Sequence, residues 1–284
     1  VSERDAFRRD ALTGDDLTLA YDGRTVVHGA HLALRPGAVV ALVGPNGSGK
    51  STLLRTLARL HTPTAGSVTL SDRDSDSDHD GIDALALRPK DFARQVTLLT
   101  QSRPTPGGVR VREVVAYGRH PYRGRFGGGD PDGHEHVERA MRLTGVHAMA
   151  DRPVDELSGG ELQRVWLATC LAQDTRVVLL DEPTTYLDLR YQVETLDTIR
   201  DLADEHDVAV GVVLHDLDQA AAVADHIVLL HAGRVRAAGT PAEVLTAELL
   251  TDVYGLRIDV TVDGSGRVHT RPVGRHSDRF LPTT

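Results

Sequence analysis

The run Gly44-Pro45-Asn46-Gly47-Ser48-Gly49-Lys50-Ser51-Thr52 can wrap a polyphosphate. Its glycines let the backbone turn N–H groups onto phosphate oxygens, and a helix starting at Lys50 adds the positive end of its dipole. These residues match the P-loop pattern, in which Lys50 contacts the β- and γ-phosphates and Ser51 holds Mg2+. Lys50 and Lys90 are the only lysines in a chain that otherwise uses arginine. A compact ammonium suits a tight phosphate loop better than a planar guanidinium. Far downstream, Asp181 and Glu182 close the apolar run Val177–Leu180. Successive strand side chains point oppositely, so Asp181 can reach Mg2+ through water while Glu182 polarises the water that attacks the γ-phosphate. The simpler alternative, a carboxylate pair that merely caps a strand end, loses ground because a phosphate loop lies upstream. Leu157-Ser158-Gly159-Gly160-Glu161 offers a second set of free N–H groups at a helix start. Two phosphate-binding helix starts and one phosphate loop imply that each start serves a different molecule of the same protein. The chain reads as half of a dimeric ATP-driven machine.

The elements that must position these residues follow from hydrophobic periodicity. Asp16–Arg35 alternates apolar and polar residues with turn signals at Asp22-Gly23 and Pro36-Gly37, which predicts antiparallel strands. Val39–Val43 is continuously apolar and predicts a buried strand, with a helix from Lys50 to about Leu60. Val96–Leu99, Val177–Leu180 and Val210–Leu214 predict further buried strands, each followed by a polar group: Gln101, Asp181-Glu182 and His215. In open α/β sheets ligands gather at the carboxyl ends of the strands, so these residues should meet at one sheet edge. Between Gln101 and Ser158 the texture changes to loops at Pro104–Gly108 and Gly127–Gly133 and helices over Glu113–Tyr117 and Glu135–Thr144. The second helix carries Val137, Ala140, Met141 and Thr144 on one face. Asp225–Gly239 predicts a hairpin turning at His231-Ala232-Gly233, and the chain from about Gly255 is strand-like before a polar tail.

Composition sets the outer bounds. The 284 residues, 40% hydrophobic and 26% charged, suffice for one large globular domain or one domain with a sizeable insertion. A net charge of −9 excludes a grip on nucleic acid or on an anionic membrane by a basic surface. Cys170 is the single cysteine, so no intrachain disulfide forms, and its apolar helical setting predicts a small core residue. Val1–Asp16 is charged and lacks a signal-peptide core, and the longest apolar runs, Ala38–Val43 and Val208–Leu214, fall well short of the ~20 residues of a spanning helix. The expected protein is soluble or peripheral, and intracellular.

Together the motifs resemble the ATP-binding cassette (ABC) ATPases over nearly the whole chain. Tyr21 matches the aromatic that stacks on adenine, Gly44–Thr52 Walker A, Gln101 the Q-loop, Leu157–Glu161 the signature and Val177–Glu182 Walker B. Thr185-Tyr186-Leu187-Asp188 matches the D-loop, and His215 the switch histidine that contacts the γ-phosphate. The resemblance implies an α/β fold: a P-loop NTPase (RecA-like) core with an antiparallel β subdomain and an inserted helical subdomain. It places the ATPase domain at 12–254, the helical insertion at about 102–157 and a C-terminal extension with a polar tail at 255–284. It implies ATP and Mg2+ as cofactors, with Ser51, Gln101 and Asp181 on the metal side and Glu182, His215 and Lys50 as the catalytic set. It further implies a head-to-tail homodimer in which Ser158, Gly160 and Asp188 of one subunit close over nucleotide held by Lys50 of the other.

A narrower resemblance rests on Val114–Phe126, Thr184–Gln192 and Val213–Leu230, which look like importers of the iron–siderophore, haem and cobalamin group. The Tyr117-Gly118-Arg119-His120-Pro121 segment lies in the insertion that receives the coupling helix of the permease in such importers. The siderophore branch fits best, because Gly255–Arg275 also resembles it. Glu161 departs from the glutamine common in that branch, which leaves haem and cobalamin open. The implied partners are a separate membrane permease and an extracytoplasmic substrate-binding protein, with the chain peripheral on the cytoplasmic face. A soluble cassette acting on DNA or ribosomes is the rival, but the chain carries no coiled-coil insertion, second cassette or basic arm. Asp76–Gly81 matches half of a calcium loop but offers Leu87 where the last ligand belongs, so Ser71–Gly81 reads as a solvated acidic loop. His134-Glu135-His136 lacks a third ligand at metal spacing and reads as a surface helix start.

Overall fold

The computed structural model describes residues 10–71, 81–100, 107–124 and 129–274. Strands β1 (Leu12–Tyr21), β2 (Arg24–Leu34) and β3 (Val39–Val43) lead into helix α1 (Lys50–Leu57). Strands β4 (Ala65–Ser71) and β5 (Gly81–Asp83), helix α2 (Pro89–Ala93) and strand β6 (Val96–Leu99) follow. The helical stretch comprises α3 (Val111–Val115), α4 (Gly133–Leu143) and α5 (Gly159–Ala172). Next come β7 (Val177–Asp181), α6 (Leu189–Asp204), β8 (Ala209–Val213) and α7 (Leu217–Val223). The chain ends in β9 (His226–His231), β10 (Arg234–Gly239), α8 (Pro241–Val244), α9 (Ala247–Tyr254), β11 (Ile258–Val262) and β12 (Val268–Pro272).

The five-residue apolar runs become the interior of a six-stranded sheet ordered β10-β9-β3-β8-β7-β6. All neighbours pair in parallel except β10, which returns antiparallel to β9 through a turn with Ala232 and Gly233 at φ 47° and 74°. β1 and β2 form a hairpin within the four-stranded antiparallel sheet β2-β1-β4-β5. Its apolar face, with Leu17, Leu19 and Leu32, packs with Leu53, Leu54 and Leu57 of α1 against one side of the central sheet. The opposite side carries Val43, Leu180 and Leu229 under Leu167 of α5 and Ile199 and Leu202 of α6. A third cluster, with Val111, Val114, Met141 and Val165, belongs to α3, α4 and α5. Val137, Ala140, Met141 and Thr144 are all buried, as the single apolar face of that helix predicts. Cys170 is buried in α5.

Two departures have local causes, and the strand-like end is seen as a hairpin. α1 stops at Leu57 rather than near Leu60, because Arg59 turns left-handed at φ 60° and its guanidinium donates to the carbonyls of Leu85 and Leu87 at 3.0 and 2.9 Å. The helix expected over Glu113–Tyr117 starts two residues earlier and tightens into a 3-10 turn over Ala116–Tyr122. That turn lies so close to α5 that a Cβ on Gly118 would sit 2.0 Å from the Thr169 carbonyl oxygen. The C-terminal hairpin β11–β12 joins the main body: Ile258 and Val268 are buried in the same core as the central strands. Thr270 also donates its N–H and hydroxyl to Asp218 of α7, both at 2.7 Å. Among the described residues no helix is long and apolar enough to cross a membrane.

Candidate active site

The loop after β3 ends at Gly49, whose φ of 103° is open to glycine at little cost and which brings no side chain to cap α1. The first turn of α1 has no acidic residue either, so its N–H groups and positive dipole end are left for an outside anion. Lys50 is 95% buried, and its ammonium donates to the carbonyls of Gly44 and Pro45 at 2.8 and 3.0 Å. Burial pushes its pKa down, opposed by the nearby carboxylates of Glu182 and Asp181. Ser48 is buried with an Oγ that has no hydrogen-bond partner. A cradle with a hidden cation, an orphaned hydroxyl and free amides fits a phosphate chain.

The neighbouring strand ends supply the rest. β7 pairs with β8 so that Asp181 lies beside Val213, placing it and His215 at the same sheet edge. Asp181 is 1% exposed and accepts from Ser51 Oγ at 2.7 Å and from Arg55 Nη2 at 3.4 Å. Glu182 takes a left-handed φ of 57°, an unfavourable state for a residue with a side chain. Its Oε1 lies 2.5 Å from His215 Nε2, and Thr185 Oγ1 donates to its Oε2 at 3.3 Å. Lys50, Ser51, Asp181, Glu182 and His215 thus form one constellation. Gly44, Pro45, Asn46, Gly47 and Thr52 belong to the same loop and helix start, whereas Gln101 lies outside the described residues. Tyr21 is half-exposed at the end of β1, its ring 4.4 Å from that of His61.

The second helix start is built differently. Ser158 N-caps α5 in a reciprocal box with Glu161. Among the described residues no hydrogen bond or ion pair joins Leu157–Glu161 to the phosphate loop. Instead α5 touches the loop after β7, where Gln163 Nε2 donates to the Pro183 carbonyl at 3.3 Å. Asp188 caps α6 by accepting the Tyr191 N–H at 3.1 Å, leaving Tyr186 and Leu189 85% and 77% exposed.

A sequence profile of the ABC transporter family matches residues 27–185, more than half of the chain. The chain is an ABC transporter ATPase. The cassette is 43% identical over 267 residues to the ferric enterobactin transport ATP-binding protein of Escherichia coli K12, covering 93% of this chain and 94% of that protein. It is also 43% identical over 263 residues to a cobalamin import ATP-binding protein of Halobacterium salinarum, covering 92% of this chain and 63% of that one. Among solved structures, a chain from an inward-facing metal-chelate type ABC transporter superposes with a TM-score of 0.78 at 25% identity, covering 94% of this cassette and 98% of that chain.

Sequence reasoning missed several residues of the cassette's site. Arg55 lies four positions after Ser51, on the same face of α1, and that spacing is the signal that could have found it. Tyr254, at the end of α9, has its hydroxyl pushed up to about 12 by burial, against an opposing hydrogen bond from the Gly44 N–H. A polar chain also links α7 to the D-loop: Thr184 Oγ1 donates to Gln219 Oε1, Gln219 Nε2 to Gln192 Oε1, and Gln192 Nε2 to the Leu187 carbonyl, at 2.9, 3.1 and 3.2 Å. Nothing in the spacing of those four residues points to it.

Proposed function

We propose that the chain is the ATP-hydrolysing subunit of an importer for iron–siderophore complexes, working through a separate membrane permease. The observation that carries the ATPase chemistry is the convergence of Ser51 with Asp181 and of Glu182 with His215 beside an uncapped helix start. Lys50 and the amides of Gly44–Thr52 bind the phosphates, and Tyr21 stacks on the adenine. Glu182 is the general base for the attacking water, and His215, bonded to it, holds the γ-phosphate in line. The residues fit Mg2+: a hydroxyl and a fully buried carboxylate already 2.7 Å apart form the hard oxygen set that the ion prefers, and Ser51, Asp181 and Gln101 would hold it. When bound, the ion supplies charge neutralisation on the phosphates.

Two copies close head to tail, so that Ser158, Gly160 and Asp188 of each complete the other's site. The exposed Tyr186 and Leu189 beside Asp188 suit an interface. The permease docks on the helical subdomain. A cleft of about 480 Å3 lies there between α3, the 3-10 turn and α4, bordered by Ala116, Val137 and Arg123. Within the Tyr117–Pro121 motif the exposed residues Tyr117 and His120 are the docking contacts. Arg119 is a buried brace: it grips Asp130 with two nitrogens at 2.7 and 2.9 Å and the Ala172 carbonyl at 3.0 Å.

The siderophore cargo is supported by the enterobactin relative, and the cobalamin relative at equal identity favours cobalamin as a second reading. Co-expression with the neighbouring permease and binding protein tests both. Iron–siderophore uptake that depends on this chain is expected, and loss of cobalamin uptake alone in a deletion strain overturns the siderophore reading.

A further inference from the structure

Ser158 has one hydroxyl proton, and it is already committed. Oγ donates to Glu161 Oε2 at 2.9 Å, and the Ser158 N–H donates to the same oxygen at 2.8 Å. The other carboxylate oxygen lies 3.1 Å from Arg152 Nη1, while Arg152 Nη2 donates to the Glu156 carbonyl at 3.3 Å. These donors hold the Glu161 carboxyl below the usual carboxylate range, the Ser158 backbone bond first, then its hydroxyl and Arg152. A negative charge therefore rests on the positive end of α5, where the dipole favours an anion.

The same chain contains a control. Thr240 and Glu243 form an identical box, with the N–H and hydroxyl of Thr240 at 2.8 and 2.9 Å from Glu243 Oε2. Among the described residues no arginine or lysine bonds to Glu243. Capping alone needs no arginine, so the Arg152–Glu161 pair adds something that a cap does not require.

We propose that Glu161, its charge partly offset by Arg152, is a resident anion that occupies the signature helix start until the partner's nucleotide phosphate displaces it. The proposal rests on reading the signature as the half-site for a second copy's ATP. A phosphate arriving there competes with the carboxylate for the Ser158 hydroxyl and for the same dipole end, and meets a like charge that Arg152 only partly offsets. Glu161 is then a positioning residue that sets how much ATP is needed to close the dimer. Glutamine at this position keeps an oxygen for the Ser158 N–H but removes the charge and can donate to Oγ, which releases the hydroxyl proton.

The test uses the full chain carrying Glu182→Gln to suppress turnover, with Mg-ATP titrated and the dimer followed by light scattering. Adding Glu161→Gln should lower the ATP concentration for half-maximal dimer about three- to tenfold, the size of one partly screened charge at this range. Arg152→Ala should raise it, and should lose most of that effect in the Glu161→Gln background. A difference that shrinks with added salt marks it as electrostatic. If the Glu182→Gln chain forms no dimer with ATP, the half-site reading falls, and the resident anion with it. If it dimerises but Glu161→Gln leaves the half-point where it was or raises it, the resident anion alone falls. An equal Arg152→Ala effect in both backgrounds also overturns it.

Discussion

The starts of α1 and α5 are opposites. α1 begins at a glycine, without a capping side chain or an acidic first turn, and keeps its lysine almost fully buried. α5 begins at a serine already satisfied by its own glutamate, on an exposed surface. The first is open toward a ligand, with Lys50, Ser51, Asp181 and Glu182 of its own chain gathered beside it. The second satisfies itself, which suits the proposal that its ligand is brought by another molecule. An unpaired helix end on an open surface is free to bind stray anions. A capped one offers such anions fewer free donors.

The largest expected effect separates chemistry from both starts: Glu182→Gln should lower single-turnover hydrolysis ~10²–10⁴-fold with nucleotide binding intact. Retained hydrolysis would remove Glu182 from the base role. Next, Lys50→Ala should weaken nucleotide binding to the isolated chain by about 10²–10³-fold, as read by fluorescent-ATP titration. Gly160→Asp should leave that binding alone and abolish the ATP-dependent dimer. If Gly160→Asp weakens binding to the single chain, the contrast between the starts collapses. Smaller still, Ser158→Ala should cost about 0.5–2 kcal/mol in urea unfolding through the lost cap. The smallest is Tyr254→Phe, which removes one hydrogen bond behind the phosphate loop and should cost about 1 kcal/mol.

The contrast was only half legible in the sequence. A phosphate loop demands particular residues at adjacent positions, because Gly49 must turn at φ 103° and Lys50 must follow it. The buried strands were legible for a similar reason, since burial on both faces leaves little besides Val, Leu and Ile. Contacts between distant segments left no such trace. Tyr254 reaches Gly44 from the far end of the chain, and Arg59 ends α1 by bonding carbonyls of a later loop. Arg119 sits in a motif that reads as a docking surface, yet it points inward, because a buried arginine is specified by Asp130 and the Ala172 carbonyl rather than by its neighbours in sequence. Glu161 looked like a spelling variant of the signature, and only its bonds to Ser158 and Arg152 give it a physical identity.

The Arg119 brace has a mechanical consequence. Its guanidinium holds the Ala172 carbonyl at the C-terminal end of α5, and Ser158 caps the N-terminal end of that helix. The 14 residues between form a rod about 21 Å long, at 1.5 Å per residue. A hydrogen-bonded helix seated in a packed core carries thrust with little compression. One stiff member therefore runs from the face proposed for a permease to the helix start proposed for a second copy. A push on its rear bearing at Arg119 would reach Ser158 along a helix that is unbroken from Gly159 to Ala172.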